Sequence, residues 1–169
     1  MTALLGYGVM LCWPFFGDRL ILAHDMVYAF IKAVSMSQAW AHADWIGRWT
    51  PEILRGHGYP FFSFYAPLFF YVSAFFSFFF PVIRAFNLGI ILFFSLAGLT
   101  MYLFTRELWG RPGAIISAVV YLAAPYHLSN LYIRGAVGEL TAYALFPVVF
   151  WSILRLSSSC DECQEQQEK

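Results

Sequence analysis

A carboxylate stands close to the end of the first apolar segment, where it could do chemistry. Asp25 lies a few residues after the apolar stretch 2–16 and directly follows His24. A carboxylate at a membrane surface can accept the proton of an acceptor hydroxyl or bind a divalent cation. The competing structural interpretation is a helix N-cap, because Asp is favoured there and caps are common. On position alone, the N-cap is the favoured interpretation of Asp25.

Arg134 and Glu139 are a second pair of ionic candidates, in the segment YIRGAVGE that follows an apolar run. The planar guanidinium of an arginine fits the oxygens of a phosphate or pyrophosphate. Gly135 and Gly138 would allow close approach to the backbone. An arginine that reaches the membrane interface and pairs with the glutamate is an equally weighted alternative. The segment therefore predicts either a phosphate ligand or an internal ion pair.

His57 and Tyr59 lie in the turn-rich segment GHGYP. The histidine could bind a metal or a sugar hydroxyl, although a satisfied loop histidine is the favoured interpretation. Tyr59 begins a run of aromatic residues whose rings could stack on a sugar or an isoprenoid. Anchoring at the membrane interface is the favoured role for each ring. The four histidines of the chain are too dispersed to form a zinc motif.

The composition identifies lipid as the solvent for most of the chain. Of the 169 residues, 60% are hydrophobic and only 12% are charged, whereas a soluble domain carries about 25% charged residues. The formal net charge is zero and no basic cluster is present, which argues against nucleic-acid binding. Phosphate-loop, dinucleotide, serine-hydrolase and zincin motifs are absent from the sequence. These absences weigh against the corresponding enzyme classes.

Charge-poor runs predict an all-α fold, a polytopic transmembrane helical bundle with about four spans. The spans are predicted near 2–17, 85–105, 112–129 and 137–155, within one membrane domain over 1–156. The polar tail over 157–169 has no apolar pattern and is predicted to be disordered. Its Cys160 and Cys163 are predicted to be inert, because a zinc site needs four ligands.

A long external loop is predicted over 18–84, with interfacial helices near 26–40 and 63–80. Two topologies follow, according to whether the segment 63–80 crosses the membrane. If it lies along the surface, three later arginines become cytoplasmic, as the positive-inside rule favours. These are Arg106, Arg111 and Arg155. Asp25 and Glu139 then share the non-cytoplasmic face of a plasma or inner membrane, whereas a spanning 63–80 would separate them.

Several short motifs together resemble a known family over about residues 1–155. They are His-Asp at 24–25, Trp-x-Pro at 49–51, Gly-x-Gly-Tyr-Pro-Phe-Phe at 56–62, Phe-Tyr-Ala-Pro-Leu at 64–68, Ala-Pro-Tyr at 124–126 and Arg-Gly-Ala at 134–136, followed by Glu139. The pattern resembles the large multi-pass membrane proteins related to 6-pyruvoyl-tetrahydropterin synthase. These are similar to the GT-C glycosyltransferase superfamily, so the resemblance implies a GT-C-like bundle.

GT-C enzymes transfer a sugar from a polyprenyl-phosphate donor on the non-cytoplasmic side, with an acidic residue in the first external loop. The resemblance implies that Asp25 is the catalytic base or a ligand of Mg²⁺ or Mn²⁺. It also implies that Arg134 binds the donor phosphate. Glu139, His57 and Tyr59 are weaker candidates for substrate binding.

Members of this family are several times longer than this chain. The resemblance therefore implies the N-terminal membrane part of a glycosyltransferase, as a fragment or together with a C-terminal partner chain. The expected partners are membrane lipid and a polyprenyl-phosphate-linked sugar, with no nucleic acid. The alternative is a non-enzymatic membrane scaffold or a subunit that binds a lipid-linked glycan. A transporter ranks third, because the segment 85–105 offers few polar residues.

Overall fold

The computed structural model describes the backbone of residues 2–167 and the side chains of residues 4 and 6–157, and this part of the chain is helical without a β-strand. The helices are α1 (Thr2–Leu11), α2 (Met26–Ala41), α3 (Leu68–Ser77), α4 (Val82–Ala123), α5 (Pro125–Ser129) and α6 (Val137–Gln167). Short 3-10 helices occupy Trp13–Phe16 and Phe61–Ser63, and a π-helical turn occupies Asn130–Arg134. The predicted all-α class is confirmed for these residues.

Helix α4 is a hairpin of two arms, 82–109 and 111–123, joined at Gly110. Gly110 has φ 68° and ψ −171°, a backbone conformation outside the helical region. Gly98 in the first arm packs against Leu122 in the second, where an added Cβ would lie 2.6 Å from Leu122 Cδ1. In one straight helix these residues would be about 36 Å apart. The two arms are therefore antiparallel, as the separate predicted segments 85–105 and 112–129 require.

Ion pairs mark the two ends of the helical bundle. At the end that carries the long loop, Arg84 Nη2 donates to Asp18 Oδ2 at 2.6 Å. At the hairpin end, Arg155 pairs with Glu107. Along the first arm, Arg84 and Glu107 are about 35 Å apart at 1.5 Å per residue. This height slightly exceeds the thickness of a bilayer's hydrocarbon core, which is about 30 Å.

Helix α1 runs antiparallel to the first arm of α4. Leu4 shares a buried cluster with Tyr102 towards the hairpin end. An added Cβ on Gly8 would lie 3.3 Å from the Cα of Ser95, so the two helices pack closely there. At the loop end, Asn87 Nδ2 donates to the carbonyls of Gly17 and Arg19 at 3.0 and 3.1 Å. The segment 2–17, which was predicted as one span, is thus α1 followed by a 3-10 helix that contains Pro14.

The loop between α1 and α4 carries two helices that pack on the bundle. Helix α2 coincides with the predicted segment 26–40 and buries Met26, Ala33 and Met36 on one side. Helix α3 is shorter than the predicted 63–80, because it starts only after Pro67. Its ten residues measure about 15 Å, too short to cross a bilayer. The ring of Phe69 lies 5.3 Å from that of Phe86, which fixes α3 beside the first arm.

Among the described residues, two helices are long and apolar enough to cross a membrane, α4 and the part Val137–Ser157 of α6. The predicted segment 112–129 falls on the second arm and α5, which are separated where Pro125 interrupts the hydrogen bonding. Helix α6 continues to Gln167, whereas residues 157–169 were predicted to be disordered. Helix-forming Glu and Gln residues without Gly or Pro explain this continuation. The side chains of Cys160 and Cys163 lie outside the described part.

Candidate functional site

A cavity of about 280 Å³ opens at the loop end, between α2 and the turn that leads into α6. It is lined by Asp25, Tyr28, Ala29, Lys32, Tyr65, Gly135, Ala136 and Val137. Small-molecule pockets measure about 300–1,000 Å³. The cavity is therefore suited to a head group or a single sugar rather than to a whole lipid-linked donor.

Asp25 contributes a carboxylate to this cavity. It occupies the predicted N-cap position of α2, but its side chain makes no capping hydrogen bond. The Oδ1 atom instead lies 2.8 Å from Nδ1 of His24, and the Asp25 side chain is 44% exposed. The backbone N–H of Asp25 donates to the carbonyl of Arg134 at 2.7 Å. The carboxylate is thus held in place by its backbone and stays accessible.

Gly135 allows the start of α2 to approach the turn before α6. Its φ of 70° lies in the left-handed region, which favours glycine. An added Cβ would lie 3.0 Å from Cβ of Met26 and 3.1 Å from its backbone nitrogen. A larger residue would therefore push α2 away and separate Asp25 from Arg134. The neighbour at Gly135 is thus the protein's own helix α2, and close approach of a ligand to this backbone stays a prediction.

Lys32 faces the same cavity, two helical turns after Asp25 on one side of α2. Its Nζ lies 4.0 Å from the centroid of the Phe61 ring and 4.5 Å from that of Tyr65. Such cation–π contacts fix an ammonium group without neutralising it. Burial lowers the pKa of Lys32, and the nearby Asp25 carboxylate partly opposes this. Within the described side chains, no carboxylate oxygen lies within 4 Å of Nζ.

Tyr65 lies between two acidic groups. Burial raises the pKa of the Tyr65 hydroxyl, and the carboxylates of Asp25 and Glu139 raise it further. The hydroxyl is therefore protonated at neutral pH and can donate a hydrogen bond into the cavity. An added Cβ on Gly138 would lie 3.1 Å from this oxygen. Gly138 thus leaves room for the tyrosine.

Arg134 and Glu139 form the predicted internal ion pair next to the cavity. Arg134 Nη2 lies 2.8 Å from Glu139 Oε1, and Nη1 lies 3.0 Å from Oε2. Arg134 Nη1 also donates to the Tyr126 hydroxyl at 2.8 Å, and that hydroxyl donates to Glu139 Oε2 at 3.1 Å. Glu139 raises the pKa of Arg134. The guanidinium is thus already engaged, and its binding of a phosphate stays a prediction.

His57 and Tyr59 do not line the cavity. The Nδ1 atom of His57 lies 2.9 Å from the carbonyl of Leu54 within the same turn. Tyr59 pairs through its backbone with Thr50, and its ring lies 6.5 Å from that of Phe64. Both residues have local structural roles here, and their proposed contacts with substrate stay predictions.

The donor set for a metal is small. Among the described residues, no group of three or more His, Cys, Asp or Glu side chains could hold a metal ion. Asp25 with the adjacent His24 offers one carboxylate and one imidazole. Mg²⁺ commonly takes one or two protein carboxylates and completes its shell with water and substrate phosphates. Asp25 fits that role only if a substrate supplies the phosphate oxygens.

Lys32 and Tyr126 were missed as site residues. The spacing of Lys32, seven residues after Asp25 in a predicted helix, could have placed both on one face. Lysine is also rare in this chain, which has only Lys32 and Lys169. The contact of Tyr126 with Arg134 depends on the turn between α5 and α6, which the sequence pattern does not reveal.

The described part of the chain is all-helical, has two helices long and apolar enough to cross a membrane, and carries Asp25, Lys32, Arg134 and Glu139 at its loop end. The family described as 6-pyruvoyl-tetrahydropterin synthase related domain, a membrane protein family, matches residues 62–162. The match covers more than half of the chain, so the chain belongs to this family. The matched region includes Tyr65, Arg134 and Glu139, whereas Asp25 and Lys32 precede it. No curated protein and no solved structure matches the chain.

Proposed function

We propose that this chain is the N-terminal membrane part of a GT-C-like glycosyltransferase that uses a polyprenyl-phosphate-linked sugar on the non-cytoplasmic face. The observation that carries the proposal is the carboxylate of Asp25, which makes no capping hydrogen bond and is accessible in a cavity the size of a head group. The cavity lies at one end of a bundle about as tall as a bilayer is thick. A lipid-linked donor would meet its acceptor at such a boundary.

A four-pass topology accommodates the contacts between the helices. Helix α1 with its 3-10 extension, the two arms of α4, and α6 would each cross once. Helix α6 runs from Glu139 at the loop end to Arg155, which contacts Glu107 at the hairpin end. Helix α3 would stay on the loop side, where the ring of Phe69 packs against that of Phe86 near the start of α4. Asp25 and Glu139 would then share the non-cytoplasmic face, and Arg155 would be cytoplasmic.

The proposed reaction gives Asp25 the role of general base. As the acceptor hydroxyl oxygen bonds to the anomeric carbon of the sugar, its proton passes to the Asp25 carboxylate. The bond from that carbon to the phosphate oxygen breaks, and its electron pair leaves with the lipid phosphate. The Tyr65 hydroxyl would donate a hydrogen bond to an oxygen in the cavity. In the alternative role, Asp25 would hold Mg²⁺ or Mn²⁺ instead of accepting the proton, and the metal would supply charge neutralisation.

The test is sugar transfer by Asp25→Asn, which keeps the side-chain volume and removes the base. Membranes that contain the chain, with any C-terminal partner chain, would receive radiolabelled polyprenyl-phosphate mannose or polyprenyl-phosphate glucose. We expect transfer to fall by a factor of about 100 or more, the typical contribution of a general base. Asp18→Asn is the matched control, because Asp18 lies at the same end but pairs with Arg84 outside the cavity. Unchanged transfer by Asp25→Asn would refute the catalytic role.

A non-enzymatic subunit that binds a lipid-linked glycan is the second candidate. The engaged guanidinium of Arg134 and the aromatic support of Lys32 favour it, because they build a binding surface without requiring chemistry. This candidate predicts a normal phenotype for Asp25→Asn. It predicts loss of function for changes in Tyr59-Pro60 or Tyr65-Pro67.

A further inference from the structure

The cation in the cavity differs from the paired arginines of the bundle. Arg84, Arg134 and Arg155 each contact a carboxylate. Lys32 lines the cavity and contacts two aromatic rings instead. A half-buried ammonium that forms no direct ion pair is unfavourable, and an anionic group in contact with it would relieve that cost. Asp25 lines the same cavity, but among the described side chains its carboxylate lies beyond ion-pair distance of the Lys32 Nζ. The position next to Nζ can therefore accept an anionic group of a ligand.

The rings of Phe61 and Tyr65 fix the position of the Lys32 ammonium group. Phe61 and Tyr65 contact the ammonium through their faces, which leaves its N–H groups free to donate to a ligand. The 3-10 helix Phe61–Ser63 holds Phe61, and the Phe61 and Tyr65 rings lie 5.0 Å apart. Lys32 is thus oriented before any ligand arrives, which reduces the ordering cost of binding.

The charge balance in the cavity limits the kind of anion. Asp25 repels an incoming phosphate, and Lys32 is the cation among the residues that line the cavity. The charges of Asp25 and Lys32 cancel, so a singly charged phosphate diester, as in a polyprenyl-phosphate sugar, would leave one excess negative charge in the cavity. A doubly charged monoester would leave two and is therefore disfavoured relative to the diester. The Tyr65 hydroxyl, which is protonated, adds a neutral hydrogen-bond donor for an ester oxygen.

We infer that Lys32, rather than Arg134, binds the phosphate diester of a polyprenyl-phosphate-linked sugar in the cavity beside Asp25. The identity of the lipid rests on the proposed function, whereas the preference for a phosphate diester rests on the cavity itself. Arg134 then has a structural role, in which its pairing with Glu139 and Tyr126 stabilises the turn that forms one wall of the cavity.

The first experiment measures lipid binding by the full chain in nanodiscs. The probes are polyprenyl-phosphate mannose, the corresponding polyprenol and inorganic phosphate. We expect Lys32→Gln to weaken binding of the diester by about tenfold or more, the usual effect of losing a charged hydrogen-bond donor. Arg48→Gln, an exposed change of the same charge outside the cavity, should stay within about twofold of the wild type. Binding of polyprenol should not change.

The second experiment uses the unaltered chain and so does not depend on the folding of a variant. Lys32 and Lys169 are the only lysines, so reductive dimethylation followed by mass spectrometry reports on each separately. We expect polyprenyl-phosphate mannose to slow the modification of Lys32 several-fold and to leave Lys169 unchanged. Polyprenol should protect neither lysine. Protection by inorganic phosphate alone would identify a free-anion site and overturn the assignment of a lipid diester.

The outcomes separate this inference from the proposed function. Equal diester affinity of the wild type and Lys32→Gln, or equal modification of Lys32 with and without the diester, would overturn the inference even if sugar transfer is found. Loss of diester binding in Lys32→Gln together with wild-type transfer by Asp25→Asn would keep the binding site and refute the catalytic proposal. Asp25→Asn is expected to bind the diester at least as tightly as the wild type, because a repulsive charge is removed.

Discussion

The contact between Gly98 and Leu122 offers a sharp test of the hairpin in α4. An added methyl group at position 98 would lie 2.6, 3.0 and 3.2 Å from three side-chain carbons of Leu122, which is fully buried. Gly98→Ala gains about 1 kcal/mol of helix propensity, whereas overpacking of a buried site costs about 1–3 kcal/mol. We therefore expect a net loss of stability of about 0–2 kcal/mol.

The double variant of Gly98→Ala and Leu122→Ala tests whether the two residues are in contact. Leu122→Ala alone should cost about 2–5 kcal/mol through lost burial and a cavity. With Gly98→Ala added, the overpacking disappears, the helix propensity is gained, and the new methyl group fills part of the cavity. The double variant should thus be at least as stable as Leu122→Ala, with a coupling energy of about 1–3 kcal/mol in the stabilising direction.

The assay is thermal unfolding in one detergent, monitored by tryptophan fluorescence. The four proteins are the wild type, Gly98→Ala, Leu122→Ala and the double variant. A coupling of 1 kcal/mol corresponds to a shift of about 2–4 °C for a chain of this size. Gly6→Ala is the matched control, because no described atom outside its own stretch of helix lies within 4 Å of the added methyl group. Its effect should be additive with that of Leu122→Ala. Additive effects of Gly98→Ala and Leu122→Ala would refute the hairpin, since the two sites are far apart in a continuous helix.

Two further predictions concern the ion pair and the topology. Glu139→Gln should lower the free energy of unfolding by no more than about 1 kcal/mol, because both partners are partly exposed, and it should leave the affinity for polyprenyl-phosphate mannose unchanged. A several-fold tighter affinity would instead assign the phosphate to the freed guanidinium of Arg134. In a background without native cysteines, a membrane-impermeant thiol reagent should label Arg48→Cys from outside and Arg106→Cys only after permeabilisation. External labelling of Arg106→Cys would reject the four-pass topology.

The side of the membrane on which the long loop lies has to be measured, because its charges do not predict it. Several basic residues, including Arg48 and Arg55, lie in the segment 18–84 on the proposed non-cytoplasmic side. Loops longer than about 60 residues translocate largely regardless of charge. The short connection around Gly110, which carries Arg106 and Arg111, is the part to which the positive-inside rule applies.

The sequence predicted the helices whose signals are local. The apolar run 85–105 falls in the first arm of α4, and the helical spacing of 26–40 falls in α2. The polar residues between 105 and 112 correctly separated two antiparallel segments. The bounds of α3 and the helical continuation of α6 were less predictable, because aromatic residues and a polar tail carry weak periodicity. Helix α6 gains its last turns by propagation from an already formed helix, which costs little.

The candidate site was less predictable than the helices, because it depends on contacts between distant segments. Asp25 and Arg134 meet only because Gly135 lies against Met26. Local sequence rules favoured a capping role for Asp25, but its carboxylate contacts His24, and its backbone nitrogen lies 2.7 Å from the carbonyl oxygen of Arg134. That hydrogen bond joins residues more than a hundred positions apart, which no periodicity encodes.

The aromatic loop before α3 now has a physical role in the site. Phe61 and Tyr65 contact Lys32 from the loop, while Met26 and Ala33 hold the same helix on the core. The cation is thus fixed on a packed helix, and the loop supplies the second half of its support. Groups that bind or react need such rigid support, because a small displacement weakens charge-based contacts strongly. The loop therefore acts on function through the position of Lys32, and the ionic groups themselves lie on α2 and at the turn before α6.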